Sequence, residues 1–177
     1  MSIVGVRKIK YVTDYGPISG IYFRKILSTI VQVGELERSG LRVLDFGCGH
    51  GVLKKMNPQI NITGYDIVRE LTEVDAWNLV AFEVVVSSET FCLFNAEQLE
   101  RLLCEFKSHN KNMELVVGIS RQSFINKVGS VLLGHGNAHD GTKLKPAEEK
   151  NVLLRLMEII GQRTVWGLAD VYRFKFK

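Results

Sequence analysis

The stretch RVLDFGCGHGVLK, residues 42–54, decides the fold that the sequence predicts. It begins with an apolar run of the length that is typical of a buried strand. Three glycines follow within five positions, Gly47, Gly49 and Gly51, and glycine permits positive φ angles and a close approach to the backbone. The stretch therefore predicts a strand, a tight turn and the start of a helix, where outward-facing N–H groups hold a nucleotide-like ligand.

A second predicted strand ends in an acid. Residues 61–66, NITGYD, end at Asp66, 19 positions after Gly47. An acid at the tip of the neighbouring parallel strand can accept hydrogen bonds from both hydroxyls of a ribose, which makes Asp66 the predicted ribose-binding residue. A dinucleotide site requires the pattern G-x-G-x-x-G, but Val52 stands at its last position. An NAD-dependent oxidoreductase therefore fits less well.

The run DFGCGHG, residues 45–51, resembles the first motif of the class I S-adenosylmethionine-dependent methyltransferases, acid-x-Gly-x-Gly-x-Gly after a strand. The resemblance extends more loosely from about Tyr22 to the C-terminus. It implies a Rossmann-like, doubly wound α/β sheet of seven strands, with the methyl donor at the strand tips and the acceptor above them. The donor-binding residues that we expect on this basis, with Asp66 among them, are Asp45, Gly47, Cys48, Gly49, Gly51, Asp66, Ile67, Asp75, Ala76 and Ser88.

The region of the third strand is shorter than this family pattern requires. Only 15 residues separate Asp66 from Phe82, where the next strand-like run begins, whereas the pattern needs two crossovers and a strand there. We expect residues 71–76 to be a remnant of the third strand, with its flanking helices reduced to turns or lost. The resemblance makes Asp75 the acid that binds the adenine amino group, and a loop acid is the alternative. Trp77 is either a wall of the adenine site or part of the core.

Composition and periodicity predict a single domain over residues 1–177. The 177 residues, 46% of them hydrophobic, suffice for one sizeable core and are few for two. The predicted elements of the first half are an N-terminal arm over 1–20, a helix over 21–38 and a short helix over 52–57. A helix capped by Asn95, a strand over 114–120 and an acceptor-side insertion over 121–145 follow. The chain then forms a helix from Pro146 to the stop at Gly161, with Ile160 on its buried face, and a C-terminal antiparallel hairpin of 163–166 and 170–177.

Charge, cysteine content and hydropathy limit the classes of function. The net charge of +4 allows an anionic or RNA partner without requiring one. Three cysteines without a CxxC pair fit a reducing compartment. Since no apolar run approaches the length of a membrane span and no signal peptide is recognisable, we expect a cytoplasmic protein.

Two regions carry candidate groups for proton transfer or acceptor binding. Glu89 follows a predicted strand at its carboxyl end, where it is a base, a holder of a cationic acceptor, or only a helix-capping acid. His135 and His139 lie in the loop GHGNAHDG, residues 134–141, and are either general bases or residues of a plain surface loop. We do not favour a metal site of these histidines with Asp140, because their local spacing is irregular.

The sequence thus predicts an S-adenosylmethionine-dependent methyltransferase that works mainly by positioning. The methyl group of such a donor sits on a positive sulfur, so alignment of the acceptor and exclusion of water are the main requirements. We expect a small-molecule, lipid-linked or sugar-linked acceptor, because the sequence has no basic, aromatic-rich patch of a nucleic-acid reader. An RNA or protein methyltransferase is the second interpretation, and a non-catalytic donor-binding partner subunit is the third.

Overall fold

The computed structural model describes residues 17–121 and 143–177. Its helices and strands, in chain order, are α1 (Pro17–Gly34), β1 (Arg42–Phe46), α2 (Val52–Met56), β2 (Asn61–Tyr65), β3 (Val84–Ser88), α3 (Ala96–His109), β4 (Glu114–Ser120), α4 (Pro146–Leu156), β5 (Met157–Val165) and β6 (Ala169–Phe176). Two 3₁₀ turns, Trp77–Leu79 and Phe91–Leu93, precede and follow β3. Among the described helices, none is both long and apolar enough to cross a membrane.

The described strands form one sheet in the order β2-β1-β3-β4-β6-β5. Strands β1 to β4 are parallel, while β6 runs antiparallel to both β4 and β5. The predicted doubly wound α/β fold with a C-terminal antiparallel hairpin is therefore confirmed. The strand order reverses between β1 and β3, and open sheets of this kind bind ligands at the carboxyl ends of the strands beside that switch point.

The core fills both faces of the sheet. On one face, α3 and α4 pack together over a buried cluster that includes Phe91, Phe106, Leu153 and Phe174. On the other face, α1 and α2 bury a second set of residues with the strands. The run of three valines that begins at Val84 is fully buried, as expected for parallel strands that are covered on both sides.

Residues 71–76 form no strand, so the predicted remnant of the third strand is wrong. Strand β2 is instead the edge of the sheet, and Glu73 contacts this edge in place of a strand. The N–H of Glu73 donates to the carbonyl of Gly64 (3.0 Å), and its carboxylate accepts the N–H of Gly64 (3.0 Å). The predicted loss of the flanking helices is confirmed, since one 3₁₀ turn is the only helical piece between β2 and β3.

Three predicted helix boundaries are also wrong. Helix α1 begins at Pro17, inside the predicted arm, where a proline is well suited to the first helical position, and it ends at Gly34 rather than at residue 38. Helix α4 ends at Leu156, and the residues that follow pair with β6 in a long hairpin rather than continuing to Gly161. Ile160, predicted on the buried face of the helix, is 42% exposed in β5. Pairing with β6 outweighs local helix periodicity here, as tertiary context often does.

Candidate functional site

The glycine turn after β1 has the conformation that its sequence predicts. Gly47, Gly49 and Gly51 all have positive φ angles, of 81°, 51° and 66°. The N–H groups of Gly47 and Cys48 both donate to the carbonyl of Tyr65 (2.8 and 3.1 Å), which ties the turn to the end of β2. Gly51 then caps the start of α2, so backbone N–H groups at a helix start lie beside the switch point of the sheet.

One side of this turn is tightly packed and the other is open. A Cβ atom on Gly47 would lie 2.2 Å from Oγ1 and 2.5 Å from Cγ2 of Thr90, which follows β3. A Cβ atom on Gly49 or Gly51 would meet no heavy atom within 4 Å in the part of the chain that the structure describes. Gly47 therefore allows the ends of β1 and β3 to meet, and the other two glycines border free space.

Asp66, the predicted ribose-binding residue, lies against the glycine turn. Its Oδ2 accepts the N–H of Gly49 (2.9 Å), and its Oδ1 accepts the N–H of Val68 (3.0 Å). Each carboxylate oxygen keeps a second acceptor site, so the carboxylate is held in place and can still bind two hydroxyl groups. The neighbouring Ile67 is 91% exposed, which leaves an apolar surface beside the carboxylate.

Asp45 lies buried at the end of β1, beneath the glycine turn, and is only 6% exposed. Burial raises its pKa to about 7, and the nearby charges of Asp66 and Glu73 act in the same direction. Burial likewise raises the pKa of Cys48 to about 12, so this thiol is neutral and unreactive at physiological pH. Asp45, Asp66 and Glu73 thus lie close together at this end of the sheet, and Glu73 is paired with Lys54 (2.8 Å).

The predicted adenine-side residues lie on the loop after β2. Asp75 is exposed and Ala76 precedes the 3₁₀ turn, and their role toward a ligand stays a prediction. Trp77 contacts Phe106 of α3 edge-on, with 4.7 Å between ring centroids, and packs against the core. This contact favours the core interpretation of Trp77.

Ser88 and Glu89 lie where β3 ends. Ser88 is the last residue of the strand, and Glu89 follows with a positive φ of 57°, an uncommon conformation for a residue that is not glycine. The carboxylate of Glu89 accepts a hydrogen bond from the Ser120 hydroxyl (2.6 Å) at the end of β4. Burial raises the pKa of Glu89 to about 6, and the Ser120 hydroxyl acts in the opposite direction.

Tyr22 of α1 approaches the same pair of residues. Burial raises the pKa of Tyr22 to about 12, contact with the Ser120 hydroxyl lowers it, and the charge of Glu89 raises it. Tyr22 therefore stays protonated at physiological pH. Tyr22, Ser120 and Glu89 form a polar cluster at the ends of β3 and β4, on the same edge as Asp66 and the glycine turn.

An ion pair fixes the neighbouring end of β4. The guanidinium of Arg121 donates to Oδ1 of Asp170 on β6 (2.6 Å), and the Thr164 hydroxyl on β5 donates to the same oxygen (2.6 Å). Asp170 is largely buried. The last three strands are thus cross-linked just beyond Ser120, which holds the polar cluster on a rigid support.

Sequence reasoning missed Glu149 as a residue of this region. The adjacent Glu148 lies near the start of the helix, where its carboxylate accepts the N–H of Lys145 (2.8 Å). Glu149 is only 4% exposed. Burial raises its pKa to about 8, and the charge of Glu89 acts in the same direction. The signal was present in the sequence, because Glu149 precedes the buried Val152 and Leu153 by three and four positions.

The histidine loop cannot be compared with its prediction. His135, His139 and Asp140 lie outside the described residues. Among residues 17–121 and 143–177, no group of three or more His, Cys, Asp and Glu is arranged to hold a metal ion. The described chain resumes at Lys143, whose N–H donates to the carbonyl of Cys92 (2.8 Å), three residues beyond Glu89.

Comparison with known proteins agrees with this geometry. Residues 19–112, more than half of the chain, match the family described as "Methyltransferase domain". No curated protein matches the sequence. Many solved structures resemble the chain. One of them is magnesium protoporphyrin IX methyltransferase from Synechocystis with bound S-adenosylhomocysteine, which has 15% sequence identity and a TM-score of 0.58. The match covers 98% of this chain and 90% of that chain.

Two further structures show the range of the likeness. The N-methyltransferase NodS from Bradyrhizobium japonicum has 13% identity and a TM-score of 0.60, with 88% of this chain and 87% of that chain covered. RosA from Streptomyces davawensis is an N,N-8-amino-8-demethyl-D-riboflavin dimethyltransferase. It has 17% identity and a TM-score of 0.63, and the match covers 89% of this chain but only about half (55%) of RosA. At these identities the likeness establishes the fold. With the family match, it follows that the chain belongs to the methyltransferase-domain family, whose methyl donor is S-adenosylmethionine.

Proposed function

We propose that this methyltransferase binds S-adenosylmethionine against the glycine turn and Asp66, and transfers its methyl group to a small-molecule, lipid-linked or sugar-linked acceptor. The observation that carries the proposal is the position of Asp66. Its carboxylate is fixed by the N–H of Gly49 (2.9 Å) beside free space, in the arrangement that binds ribose hydroxyls at a switch point.

The residues of the site suit each part of the donor. Asp66 has free acceptor sites for two ribose hydroxyls, and the exposed Ile67 offers an apolar surface to the adenine. The donor carries a positive sulfonium and an ammonium group, which suit the carboxyl groups of Asp66 and Asp45 at this end of the sheet. Cys48 and Ala76 are proposed to line this site only through their backbone and small side chains.

The acceptor is proposed to lie over the ends of β3 and β4. When bound, S-adenosylmethionine supplies an activated methyl group, so the protein has to align the acceptor and exclude water. Ser88 is proposed to bind the donor, and Glu89, the next residue, is proposed to contact the acceptor. With a pKa of about 6, Glu89 is mainly ionised at neutral pH and able to take a proton from an acceptor hydroxyl or amine. His135 and His139 remain proposed bases outside the described residues.

A second function is favoured by one observation, the absence of a third strand beside β2 in the described sheet. The family resemblance puts Asp75, the acid expected to bind the adenine amino group, on this strand, so the loss of the strand weakens that side of the donor site. A non-catalytic partner subunit that keeps the glycine turn is the resulting alternative. Methyl transfer from labelled S-adenosylmethionine to a low-molecular-weight cell extract separates the two, because only the enzyme labels a product.

Thermal unfolding with S-adenosylmethionine, S-adenosylhomocysteine (SAH) or NAD tests donor binding. A ligand at about 100 times its Kd stabilises the native state by about 2.7 kcal/mol, or about 5–10 °C in a domain of this size. We expect this shift with SAH and not with NAD. Asp66→Asn should reduce it to about half or less, while the matched control Glu70→Gln, an exposed neighbour, should keep it. A shift with NAD alone, or none with any ligand, contradicts the proposal.

A further inference from the structure

We propose that the rings of Trp166 and Tyr22 form an aromatic wall of the acceptor site, so that the substrate of this methyltransferase carries a planar aromatic ring. The inference rests on the proposed function, since it assigns the acceptor class for the same site. Trp166 lies at the tip of the hairpin of β5 and β6, and it is the residue that determines this specificity.

The backbone at Trp166 is the first argument. The hairpin closes through a turn in which the N–H of Leu168 donates to the carbonyl of Val165 (2.9 Å). The two central residues, Trp166 and Gly167, have positive φ angles of 50° and 71°. Turns of this kind prefer asparagine, aspartate or glycine at both positions, and a positive φ is unfavourable for a bulky side chain. The turn itself therefore does not explain a tryptophan, and backbone strain of this kind concentrates at ligand-binding positions.

The exposure of the indole ring is the second argument. Trp166 is 56% exposed, and in the described part of the chain it belongs to neither of the two buried clusters that cover the sheet. Trp77, the other tryptophan of the sequence, packs against the cluster under α3 and α4. Packing thus accounts for Trp77 but not for Trp166, whose ring offers a large apolar surface to a ligand.

The position of the hairpin tip is the third argument. Ala169, three residues after Trp166, pairs with Ser120 at the end of β4. The N–H of Arg121 donates to the last carbonyl of the turn (2.7 Å). The Ser120 hydroxyl in turn donates to the carboxylate of Glu89 (2.6 Å). The hairpin tip therefore lies beside the ends of β3 and β4, where the acceptor is proposed to bind.

Helix α1 places Tyr22 against the same tip. A Cβ atom on Gly118 of β4 would lie 3.1 Å from Cγ2 of Ile26 and 3.3 Å from Oγ of Ser88, so this part of α1 packs over the last residues of β3 and β4. Tyr22 lies about one helical turn before Ile26. Its ring centroid is 6.2 Å from that of Trp166, with 30° between the ring planes. Helix and hairpin thus bring the two rings together on the acceptor side.

The geometry of the aromatic wall favours a flat ligand on its outer surface. A third ring between the two side chains would need two carbon contacts of about 3.5–4.0 Å, or about 7–8 Å in total, but the centroids are 6.2 Å apart. The two rings therefore act as one surface, with no room for a ligand between them. An aromatic ring of the acceptor can stack on this surface in the offset arrangement that such pairs prefer. A ring held there lies beside Glu89, so its substituent can face the proposed methyl donor.

Two matched ligand pairs on the SAH-saturated protein test the inference. The probes are 2-naphthalenemethanol with its decahydro analogue and 4-biphenylmethanol with 4-cyclohexylcyclohexanemethanol, and Kd is measured by calorimetry. Both members of a pair have the same carbon skeleton and the same primary alcohol, so only the flat π-system differs. We expect each aromatic alcohol to bind at least about threefold more tightly than its saturated partner, because stacking adds to the burial of apolar area. Equal or weaker binding of both aromatic alcohols overturns the inference.

Three variants locate the effect. Trp166→Asn should remove the preference for aromatic alcohols while the affinity for SAH stays unchanged, and Trp166→Phe should keep the preference, because only phenylalanine retains a ring. Ile160→Thr, an exposed position of the same hairpin, is the matched control and should leave every Kd unchanged. A preference that survives Trp166→Asn overturns the inference.

Thermal unfolding of Trp166→Asn excludes a packing role. Because asparagine suits a turn position with a positive φ better than tryptophan, this variant should unfold at a temperature equal to or above that of the parent protein. A lower unfolding temperature shows that the ring is held for packing and overturns the inference.

Acrylamide quenching tests whether the ring is free to bind a ligand. The tryptophan emission that is lost between the parent protein and Trp166→Phe comes from Trp166, since Trp77 is the other tryptophan. In the absence of ligands this emission should be quenched nearly as readily as that of a free tryptophan amide, as expected for an exposed ring. A shielded Trp166 shows that another part of the chain covers the ring and overturns the inference.

The same measurements separate this inference from the proposed function. SAH affinity is measured first, and its absence from the parent protein refutes the proposed donor site. The aromatic and saturated alcohols are then titrated into the ligand-free protein, where the comparison of Trp166→Asn with Trp166→Phe still decides the role of the hairpin tip.

Discussion

The contact between Gly47 and Thr90 predicts a large effect of the substitution Gly47→Ala. An added Cβ would lie 2.2 Å from Oγ1 of Thr90, and the φ of 81° is unfavourable for alanine. The left-handed conformation costs about 1–2 kcal/mol, and overpacking against Thr90 costs about 1–3 kcal/mol more. The unfolding free energy should therefore fall by about 2–5 kcal/mol, which lowers the Tm by about 4–20 °C in a chain of this length.

Gly49→Ala is the matched control for backbone strain. Gly49 also has a positive φ, of 51°, but its Cβ would meet no heavy atom within 4 Å among the described residues. Only the backbone cost of about 1–2 kcal/mol should appear. The difference between the two variants therefore measures the closeness of the glycine turn to the end of β3.

Urea unfolding of a double-mutant cycle measures the contact directly. Thr90→Gly removes all three Thr90 atoms that the new Cβ would meet. In its presence, Gly47→Ala should cost about 1–3 kcal/mol less than in the parent protein, because the overpacking is gone. The reasoning is refuted if Gly47→Ala destabilises no more than Gly49→Ala, or if the effects of Gly47→Ala and Thr90→Gly add within about 0.5 kcal/mol.

Three further predictions concern the donor side of the site. Asp66→Asn should weaken SAH binding at least about tenfold by calorimetry, since an amide replaces one carboxylate oxygen by a donor; an unchanged Kd would exclude Asp66 from the site. Asp45 has a pKa raised from 3.8 to about 7, so the native state binds more protons than the unfolded state between these values and its stability falls with rising pH. The unfolding free energies of Asp45→Asn and of the parent protein are measured in urea without ligand. The value for Asp45→Asn minus the value for the parent should rise from about pH 4 to about pH 7 and then level off, and a difference that does not change with pH would contradict this. Glu73→Ala should lower the unfolding free energy by about 1–3 kcal/mol, because the Gly64 N–H at the sheet edge loses a charged acceptor. Lys54→Ala removes only an exposed ion pair and should lower the unfolding free energy by less than about 1 kcal/mol. Equal losses for the two variants in urea unfolding would refute this role of Glu73.

The sequence predicted the conformation of the glycine turn and the position of Asp66 beside it because these signals are local. The glycines that need positive φ angles are adjacent in sequence, and Asp66 ends the very next strand. The short spacing before Phe82 correctly predicted that the third-strand region is reduced. It did not predict that the side chain and N–H of Glu73 would contact the free edge of β2 at Gly64, because that contact depends on how the loop folds back.

The acceptor side was harder to predict because it depends on long-range packing. Glu89 was placed correctly at the end of a strand, but its bond to Ser120 joins residues 31 positions apart. The burial of Glu149 follows from the packing of α4 on the sheet, and the sequence shows only that Glu149 shares a helix face with Val152 and Leu153. The end of α4 at Leu156 is set by the pairing of β5 with β6, which the helical spacing of the preceding residues does not reveal. The single domain over residues 1–177 and the roles of His135 and His139 stay predictions.

The crystal structure of the protein with SAH tests the central claim most directly. The account predicts SAH across the switch point between β1 and β3, with both ribose hydroxyls within hydrogen-bonding distance of Asp66, about 2.7–3.0 Å. The adenine should lie against Ile67, and the sulfur should point toward Ser88 and Glu89. SAH bound away from the glycine turn, or with its ribose distant from Asp66, would contradict the account.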